Sequence, residues 1–221
     1  MAISLQGSAS ALANSITIPS HQAGDAIIIF GARNNTTAPT IPSGWVTLAT
    51  TGASNASSVA VFRIAKSSSE TSGTFTNASV LHALVYRASA GVVVASTALA
   101  GAAATSATIN YPALANYRAG VQDNWYVAHA FQLNSANSLE TAPSGMSNVL
   151  VESSSGAWKS AVHHTGASQL SNWASTNVGP LTNSAFYVSR VLQLVEIDAP
   201  AFGGGGGGLI LPRSMSGGYA A

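Results

Sequence analysis

Gly24-Asp25-Ala26-Ile27-Ile28-Ile29-Phe30 is the stretch that decides the fold of this 221-residue chain. Its apolar residues follow one another without a polar break, as in a β-strand that is buried on both faces. The glycine and aspartate before them mark a turn. The stretch therefore predicts a fully buried strand that begins directly after a turn.

Other short apolar or alternating runs surround this strand, separated by clusters of Gly, Ser, Asn, Thr and Pro. This pattern is typical of a β-sandwich or barrel. Helix signals are poor, and the Ala-rich segment 95–106 is predicted as a loop plus an edge strand. The predicted strands span residues 16–18, 26–30, 45–51, 59–64, 80–87, 107–111, 125–133, 158–164 and 186–196.

A weak internal repeat divides the chain into two halves. Pro42-Ser43-Gly44-Trp45 recurs about one hundred residues later as Pro143-Ser144-Gly145-Met146, each between strand-like runs. Two copies of such a unit can form two sheets packed face to face. We predict an all-β fold, a single jelly-roll-like β-sandwich built from two similar halves; two separate small domains are the alternative. No clear linker lies between Arg87 and Asp123, which favours one domain.

The chain ends differ from this pattern. We divide it into an N-terminal segment (1–12), the β-sandwich (13–198) and a tail (199–221) that holds a flexible polyglycine linker and an apolar docking peptide. An apolar peptide on a flexible linker can add a strand to a partner's sheet edge. The alternatives are that the tail folds back on its own sandwich or has no role. The predicted docking residues are Leu209, Ile210, Leu211, Pro212, Arg213 and Tyr219.

Composition limits the possible functions. Only 7% of the residues are charged, the net charge is +1, and cysteine is absent. A surface of Ser, Thr, Asn and Gly does little to keep copies apart, which favours a protein that works inside an assembly. The chain has no basic patch for nucleic acid, no apolar run long enough to span a membrane, and no convincing signal peptide.

The histidines are predicted to be structural. His82 and His129 lie in apolar strands, so we expect hydrogen-bonded interior or interface residues rather than ligands. His163 and His164 are adjacent, and neighbours on a strand point to opposite faces. We therefore predict no metal site.

No catalytic site or cofactor is predicted either. Serines are abundant, but the Gly-x-Ser-x-Gly motif of a nucleophile elbow is missing. Glu196 and Asp198 would share one strand face, as a carboxylate pair for glycoside cleavage would, yet two solvated carboxylates at a strand end are the ordinary expectation. The glycine run 203–208 opens no helix, so it does not predict a dinucleotide site.

Trp173 is the tryptophan that we expect to be exposed. It lies in the polar loop Ser171-Asn172-Trp173-Ala174, whereas Trp45 and Trp125 have apolar neighbours and are predicted to pack in the core. An exposed indole ring can stack on a sugar ring, so Trp173 is the predicted glycan contact.

The order of these turns and strands resembles β-sandwich modules of tailed-bacteriophage virion proteins. The resemblance covers about residues 13–198 and is carried by Gly24-Asp25, Pro42-Ser43-Gly44-Trp45, Val59-Ala60-Val61-Phe62-Arg63 and Leu84-Val85-Tyr86-Arg87. It implies a virion structural protein, of tail-fibre or head-decoration type, that is made in the bacterial cytoplasm. Such a protein would form a homo-oligomer, for which we expect a trimer, and would contact other virion proteins. The alternatives are a module that binds a host surface glycan and an enzyme such as a depolymerase or esterase.

Overall fold

The computed structural model describes residues 3–53, 55–101, 106–117, 124–136 and 139–197, and these are the described residues below. Their regular structure consists of β-strands, which confirms the predicted all-β class. The strands are β1 Ser4–Ala11, β2 Ala26–Asn34, β3 Val46–Ala53, β4 Ala56–Ile64, β5 Val80–Arg87, β6 Val92–Gly101, β7 Ile109–Tyr111, β8 Asn124–Gln132, β9 Ser147–Ser154, β10 Trp158–His164, β11 Thr176–Val178 and β12 Tyr187–Glu196.

Each half of the chain forms one five-stranded antiparallel sheet. The first sheet has the order β1-β5-β2-β4-β3, and the second has the order β6-β12-β8-β10-β9. A separate two-stranded sheet pairs β7 with β11. The two large sheets share one core, so the predicted sandwich of two similar halves is confirmed. Its connectivity is simpler than that of a jelly roll, because the described strands of the first sheet all precede those of the second, with one passage between them at residues 88–91.

The two large sheets are related by a pseudo-two-fold rotation. Their strand orders match position by position, with β2 equivalent to β8, β4 to β10 and β5 to β12. Across the sandwich, β1 lies against β9 and β3 lies against β6, so one order is reversed relative to the other. A two-fold axis along the strands produces this arrangement, as in a symmetric dimer interface. The halves of this chain therefore pack as two subunits of a dimer would.

Both faces of both sheets are covered, so the sandwich has four layers. The space between the sheets is filled by apolar side chains such as Ile28, Leu84, Val127 and Leu192. The outer face of the first sheet packs under Ile16, Ile18 and Phe75. The outer face of the second packs under Tyr111, Leu114, Trp173 and Leu181. These two coverings explain why β2 and β8 are almost entirely apolar.

The repeated Pro-Ser-Gly segments form matching turns. Gly44 and Gly145 have φ angles of 86° and 84°, a conformation that favours glycine. In the second half, Met146 N donates to Pro143 O at 2.9 Å, which closes a turn with glycine at its third position. This is the geometry of a type II turn, in which only the third residue needs a positive φ.

Every edge strand of the two large sheets carries an irregularity. The register shifts between Leu5 and Gly7 in β1, between Thr47 and Ala49 in β3, between Val162 and His163 opposite β9, and between Gln193 and Leu194 opposite β6. The four inner pairings run without a shift. Bulges at sheet edges oppose edge-to-edge pairing with another chain. In most proteins, charged side chains on the edge strands also oppose it. With so few charges, this protein relies on backbone geometry.

Several predicted boundaries were wrong. The segment 1–12 is not separate from the sandwich, because β1 is an edge strand that pairs with β5. Its small polar residues hid the strand, since an edge strand needs little apolar surface. Residues 16–18 are not a strand but a covering segment, in which Ile16 N donates to Ser72 Oγ. The predicted edge strand within 95–106 is confirmed as part of β6, and β9 was missed.

Candidate functional site

A polar cluster crosses the middle of the space between the sheets. Its five side chains are fully buried: Ser58, His82, His129, Ser160 and Arg190. Nε2 of His82 lies 2.9 Å from Ser160 Oγ, and Nε2 of His129 lies 3.1 Å from the same oxygen. Arg190 reaches the first sheet, where it donates to Ser58 Oγ and, at 3.1 Å, to Ala49 O. These bonds link the two sheets through polar groups.

The cluster follows the pseudo-two-fold axis. In the strand registers Phe30 lies opposite His82, as His129 lies opposite Arg190, so these two pairs are equivalent. By the same comparison Ser58, opposite Ala32, is equivalent to Ser160, opposite Phe131.

Each sheet therefore supplies one basic residue that bonds the serine of the other sheet, His82 to Ser160 and Arg190 to Ser58. On the axis the Phe30 and His129 rings stack at 4.9 Å.

The histidines of this cluster are neutral near pH 7. Burial lowers the pKa of His82 to about 3, and burial together with the nearby His82 and Arg190 holds the pKa of His129 well below its usual value. Burial also lowers the pKa of Arg190 to about 9, which leaves the guanidinium charged at pH 7. Nδ1 of His82, Nδ1 of His129 and Nε of Arg190 have no hydrogen-bond partner among the described residues.

The Ser160–histidine contacts resemble the nucleophile and base of a hydrolase in distance alone. Catalysis also needs access for substrate and donors for the developing oxyanion. Ser160 and both histidines are fully buried between two packed sheets, and His129 is covered by the Phe30 ring. The cluster is therefore a structural element that connects the sheets.

The predicted positions of the other histidines are confirmed. His163 points to the outer face, where its Nε2 lies 3.0 Å from the Tyr111 hydroxyl. His164 points inward, with its ring 5.2 Å from that of Trp125. Within the described ranges, no group of three or more His, Asp or Glu side chains has metal-site geometry.

An ion pair holds the start of β2 against the end of β5. Arg87 donates from Nε to Asp25 Oδ1 at 2.6 Å and from a terminal nitrogen to Oδ2 at 2.7 Å, and Gln22 N donates to Oδ2. Burial raises the pKa of Asp25, but these hydrogen bonds and the Arg87 charge outweigh it, so the pKa is lowered overall.

The second half has no such pair at the equivalent place. Asn124 donates from Nδ2 to Asn116 Oδ1 at 2.9 Å instead, and its register partner on β12 is Val195. The Asp25–Arg87 pair borders a surface cleft of about 480 Å³ that is lined by Ser4, residues 22–25 and residues 87–91.

Trp173 is not the exposed glycan contact that we predicted. It is 8% exposed, and its ring packs 5.8 Å from that of Tyr126 on the outer face of the second sheet. The polar neighbours of Trp173 correctly indicated a loop, but this loop folds over the sheet and turns the indole inward. The exposed aromatic side chain in this region is Tyr117, at 60%.

The remaining predicted site residues are only partly described. Glu196 lies at the end of β12, where Oε1 accepts from Ser89 Oγ at 2.9 Å. Its proposed partner Asp198 lies outside the described residues, as do the tail residues 199–221 with Leu209, Ile210, Leu211, Pro212, Arg213 and Tyr219.

The described part of the chain contains no helix with the length and hydropathy that a membrane span requires. No protein-family model, no curated protein and no solved structure matches this chain.

Proposed function

We propose that this protein is a non-enzymatic structural component of a tailed-bacteriophage particle, in the role of a coat, decoration, collar or fibre protein. It acts by self-assembly into a homo-oligomer, for which we expect a trimer, and by docking to other virion proteins. The observation that carries the proposal is the four-layered sandwich, in which the contacts of Ser160 with His82 and His129 are buried between the sheets. A sandwich packed in this way suits a structural role better than a catalytic one.

The surface composition supports assembly. Only 7% of the chain is charged, so repulsion between copies is weak and close contacts carry a small desolvation cost. The bulged edges oppose uncontrolled strand addition along the sides of the sandwich. Contacts in the particle are then made by the loops at the two ends of the sandwich and by the tail.

The tail is the proposed docking element. Leu209, Ile210 and Leu211 follow six glycines, so the apolar peptide can reach a neighbouring subunit over a flexible linker. An apolar peptide favours binding to a partner, because contact with water is unfavourable for apolar side chains.

Light scattering on the purified full chain and on a chain truncated after Phe202 tests this proposal. We expect an oligomer for the full chain and a monomer for the truncated one. A full-length variant with Leu209, Ile210 and Leu211 all changed to Ser keeps the tail length and removes its apolar surface. It should also be monomeric.

The opposite results separate the alternatives. Monomers for every variant would argue against self-assembly. An oligomer that persists after truncation would place the contact on the sandwich itself. If truncation unfolds the protein, the tail is part of the core rather than a docking peptide.

A further inference from the structure

Each half of the sandwich contains an apolar core of its own, beneath its outer covering, which we call its private core. The private core of the first half is built from residues between positions 9 and 85, among them Ile29 and Phe75. That of the second half is built from residues between positions 98 and 191, among them Tyr111 and Val191. Strand pairing in the two five-stranded sheets also stays within one half. Each half therefore holds its sheet and its covering together through contacts of its own.

The layer between the two sheets is the shared core. Its apolar side chains come from both halves, such as Phe30 and Leu84 from the first and Val127 and Leu192 from the second. If the halves part along this layer, the strand pairings of both sheets and both private cores can persist. Proteins open in such cooperative units when one layer is weaker than the rest. The shared core is therefore the layer at which the sandwich can open without unfolding as a whole.

The middle of the shared core holds three basic side chains, those of His82, His129 and Arg190, and all three are fully buried. The two imidazole rings lie 5.9 Å apart, and Arg190 is in register with His129 on the neighbouring strand. The hydrogen bonds of these bases go to serine and carbonyl oxygens. A proton on either imidazole would add a positive charge beside the guanidinium, in a layer where charges are poorly screened.

The other titratable groups around these bases do not offset such a charge. Glu152 faces the layer from the edge strand β9, where it is only half-buried and accepts from Ser10 Oγ. Tyr86 and His164 lie toward the end of the layer, with their rings 6.4 Å apart. His163 lies on the outer face of the second sheet and is a further base. Protonation in the middle of the layer is therefore favourable only if the layer opens to water.

We propose that the shared core is an acid-sensitive joint: protonation of His82 and His129 beside Arg190 drives the two halves apart, while the first half keeps its sheet and its private core. In the opened form both imidazoles reach water and bind protons as ordinary histidines do. Each of them then favours the opened form by up to about tenfold for every pH unit below about 6.5. This joint does not depend on the particle role proposed above, which the oligomeric state tests.

Thiol labelling of the full chain tests the joint directly, because the chain has no cysteine. Ala60→Cys reports on the shared core, where Ala60 is fully buried. Ala83→Cys is the matched control, because Ala83 is an equally buried alanine of the same sheet that lies in the private core of the first half. The control is placed in the first half because His163 can titrate in the private core of the second.

The labelling rate with 4,4′-dithiodipyridine is measured at pH 8 and pH 4.5, relative to the same variant unfolded in urea at each pH. We expect the rate for Ala60→Cys to rise by about a hundredfold or more at the lower pH, since two histidines favour opening. The rise for Ala83→Cys should be smaller by about tenfold or more.

Replacement of the two histidines tests the trigger. His82→Gln keeps an amide donor for Ser160 Oγ, and His129→Phe installs the residue of the equivalent position. In the Ala60→Cys background, the two changes together should abolish most of the rise in labelling. If the combined variant does not fold, His129→Phe alone should reduce the rise by about tenfold or more.

Three results would overturn the proposal. Equal rises for Ala60→Cys and Ala83→Cys would mean that the chain unfolds as a whole in acid. No rise for Ala60→Cys would mean that the shared core stays closed. An undiminished rise in the histidine variants would assign the opening to other groups.

Discussion

The rings of Phe30 and His129 stack with their planes 7° apart, and the two residues occupy equivalent positions in the two halves of the chain. The pair lies on the pseudo-two-fold axis, where a symmetric dimer would place two copies of one residue against each other. One half has kept an apolar ring there and the other has a histidine. Equivalent interior positions in the two halves therefore carry side chains of different chemical type.

The buried histidines make the protein sensitive to acid. The folded pKa values of His82 and His163 are lowered to about 3 and about 4, and that of His129 is lowered as well, whereas an unfolded histidine titrates near 6.5. The free energy of unfolding is then highest above about pH 6.5 and falls below that pH. The reason is that the histidines bind protons in the unfolded chain but stay neutral in the folded chain. Each histidine contributes a slope of up to about 1.4 kcal/mol per pH unit.

Urea unfolding between pH 8 and pH 4.5, followed by tryptophan fluorescence, measures this slope. His129→Phe installs the residue of the equivalent position. It should reduce the pH dependence of the free energy of unfolding by the contribution of one histidine, and it should leave the stability at pH 8 nearly unchanged. A parent chain with no loss of stability down to pH 4.5 would contradict the neutral, buried state of these histidines.

Arg190 should be costly to remove although it has no carboxylate partner in the cluster. Arg190→Ala leaves a cavity and deprives Ser58 Oγ and Ala49 O of their donor, so we expect a loss of about 4 kcal/mol. Arg190→Met fills most of the space and removes the buried charge, so its loss should be roughly half as large. Equal losses for the two variants, measured by urea unfolding, would contradict this expectation and show that the lost hydrogen bonds rather than the lost volume account for the effect.

The contribution of the Asp25–Arg87 ion pair to stability can be measured with a substitution that keeps the shape of the side chain. Asp25→Asn keeps the acceptor for Gln22 N and removes the charge that Arg87 binds, and the second half already has asparagine at this place. We expect a loss of about 1–2 kcal/mol, because Asp25 is buried while Arg87 is partly exposed.

Lys159→Gln is the matched control for Asp25→Asn. It breaks a 2.7 Å ion pair with Glu140, whose side chain is 53% exposed, and should cost less than about 1 kcal/mol. A larger loss for the control than for Asp25→Asn would reverse our ranking of the two pairs.

The matching turns should respond alike to the same substitution. Gly44→Ala and Gly145→Ala each force a side chain into a positive φ, with open space around Gly44 and only an ordinary contact near Gly145. Each should cost about 1 kcal/mol and lower the Tm by about 2–4 °C.

Gly52→Ala gives a contrasting result in the same thermal scan. Its Cβ would lie 2.4 Å from Thr36 O, so steric overlap with the backbone should make its loss larger than that of either turn variant. A Tm unchanged by Gly44→Ala would contradict the turn geometry.

Patterns along the chain predicted the strands with continuous apolar faces and missed those with small polar residues. Residues 158–164 were predicted with both boundaries correct. β2 and β8 were found because each is covered on both faces and is therefore almost entirely apolar. β1 was missed because Ser, Gly and Ala at an edge carry no periodic signal.

The interior cluster could not be predicted from single segments. His82, Ser160 and Arg190 meet only when the register of both sheets is known. The position of Arg190 in the middle of an apolar strand was the available signal.

The single passage between the large sheets, at residues 88–91, also determines the order in which the protein can be made. All five strands of the first sheet leave the ribosome before the second sheet begins at Val92. At 5–20 residues per second, the roughly one hundred residues of the second half take roughly 5–20 s to synthesise. During that time the face that carries Ile28, Phe30 and Leu84 has nothing to pack against. The nascent chain therefore presents a chaperone with a large apolar surface, and the edge bulges already present in β1 and β3 limit its pairing with other nascent chains.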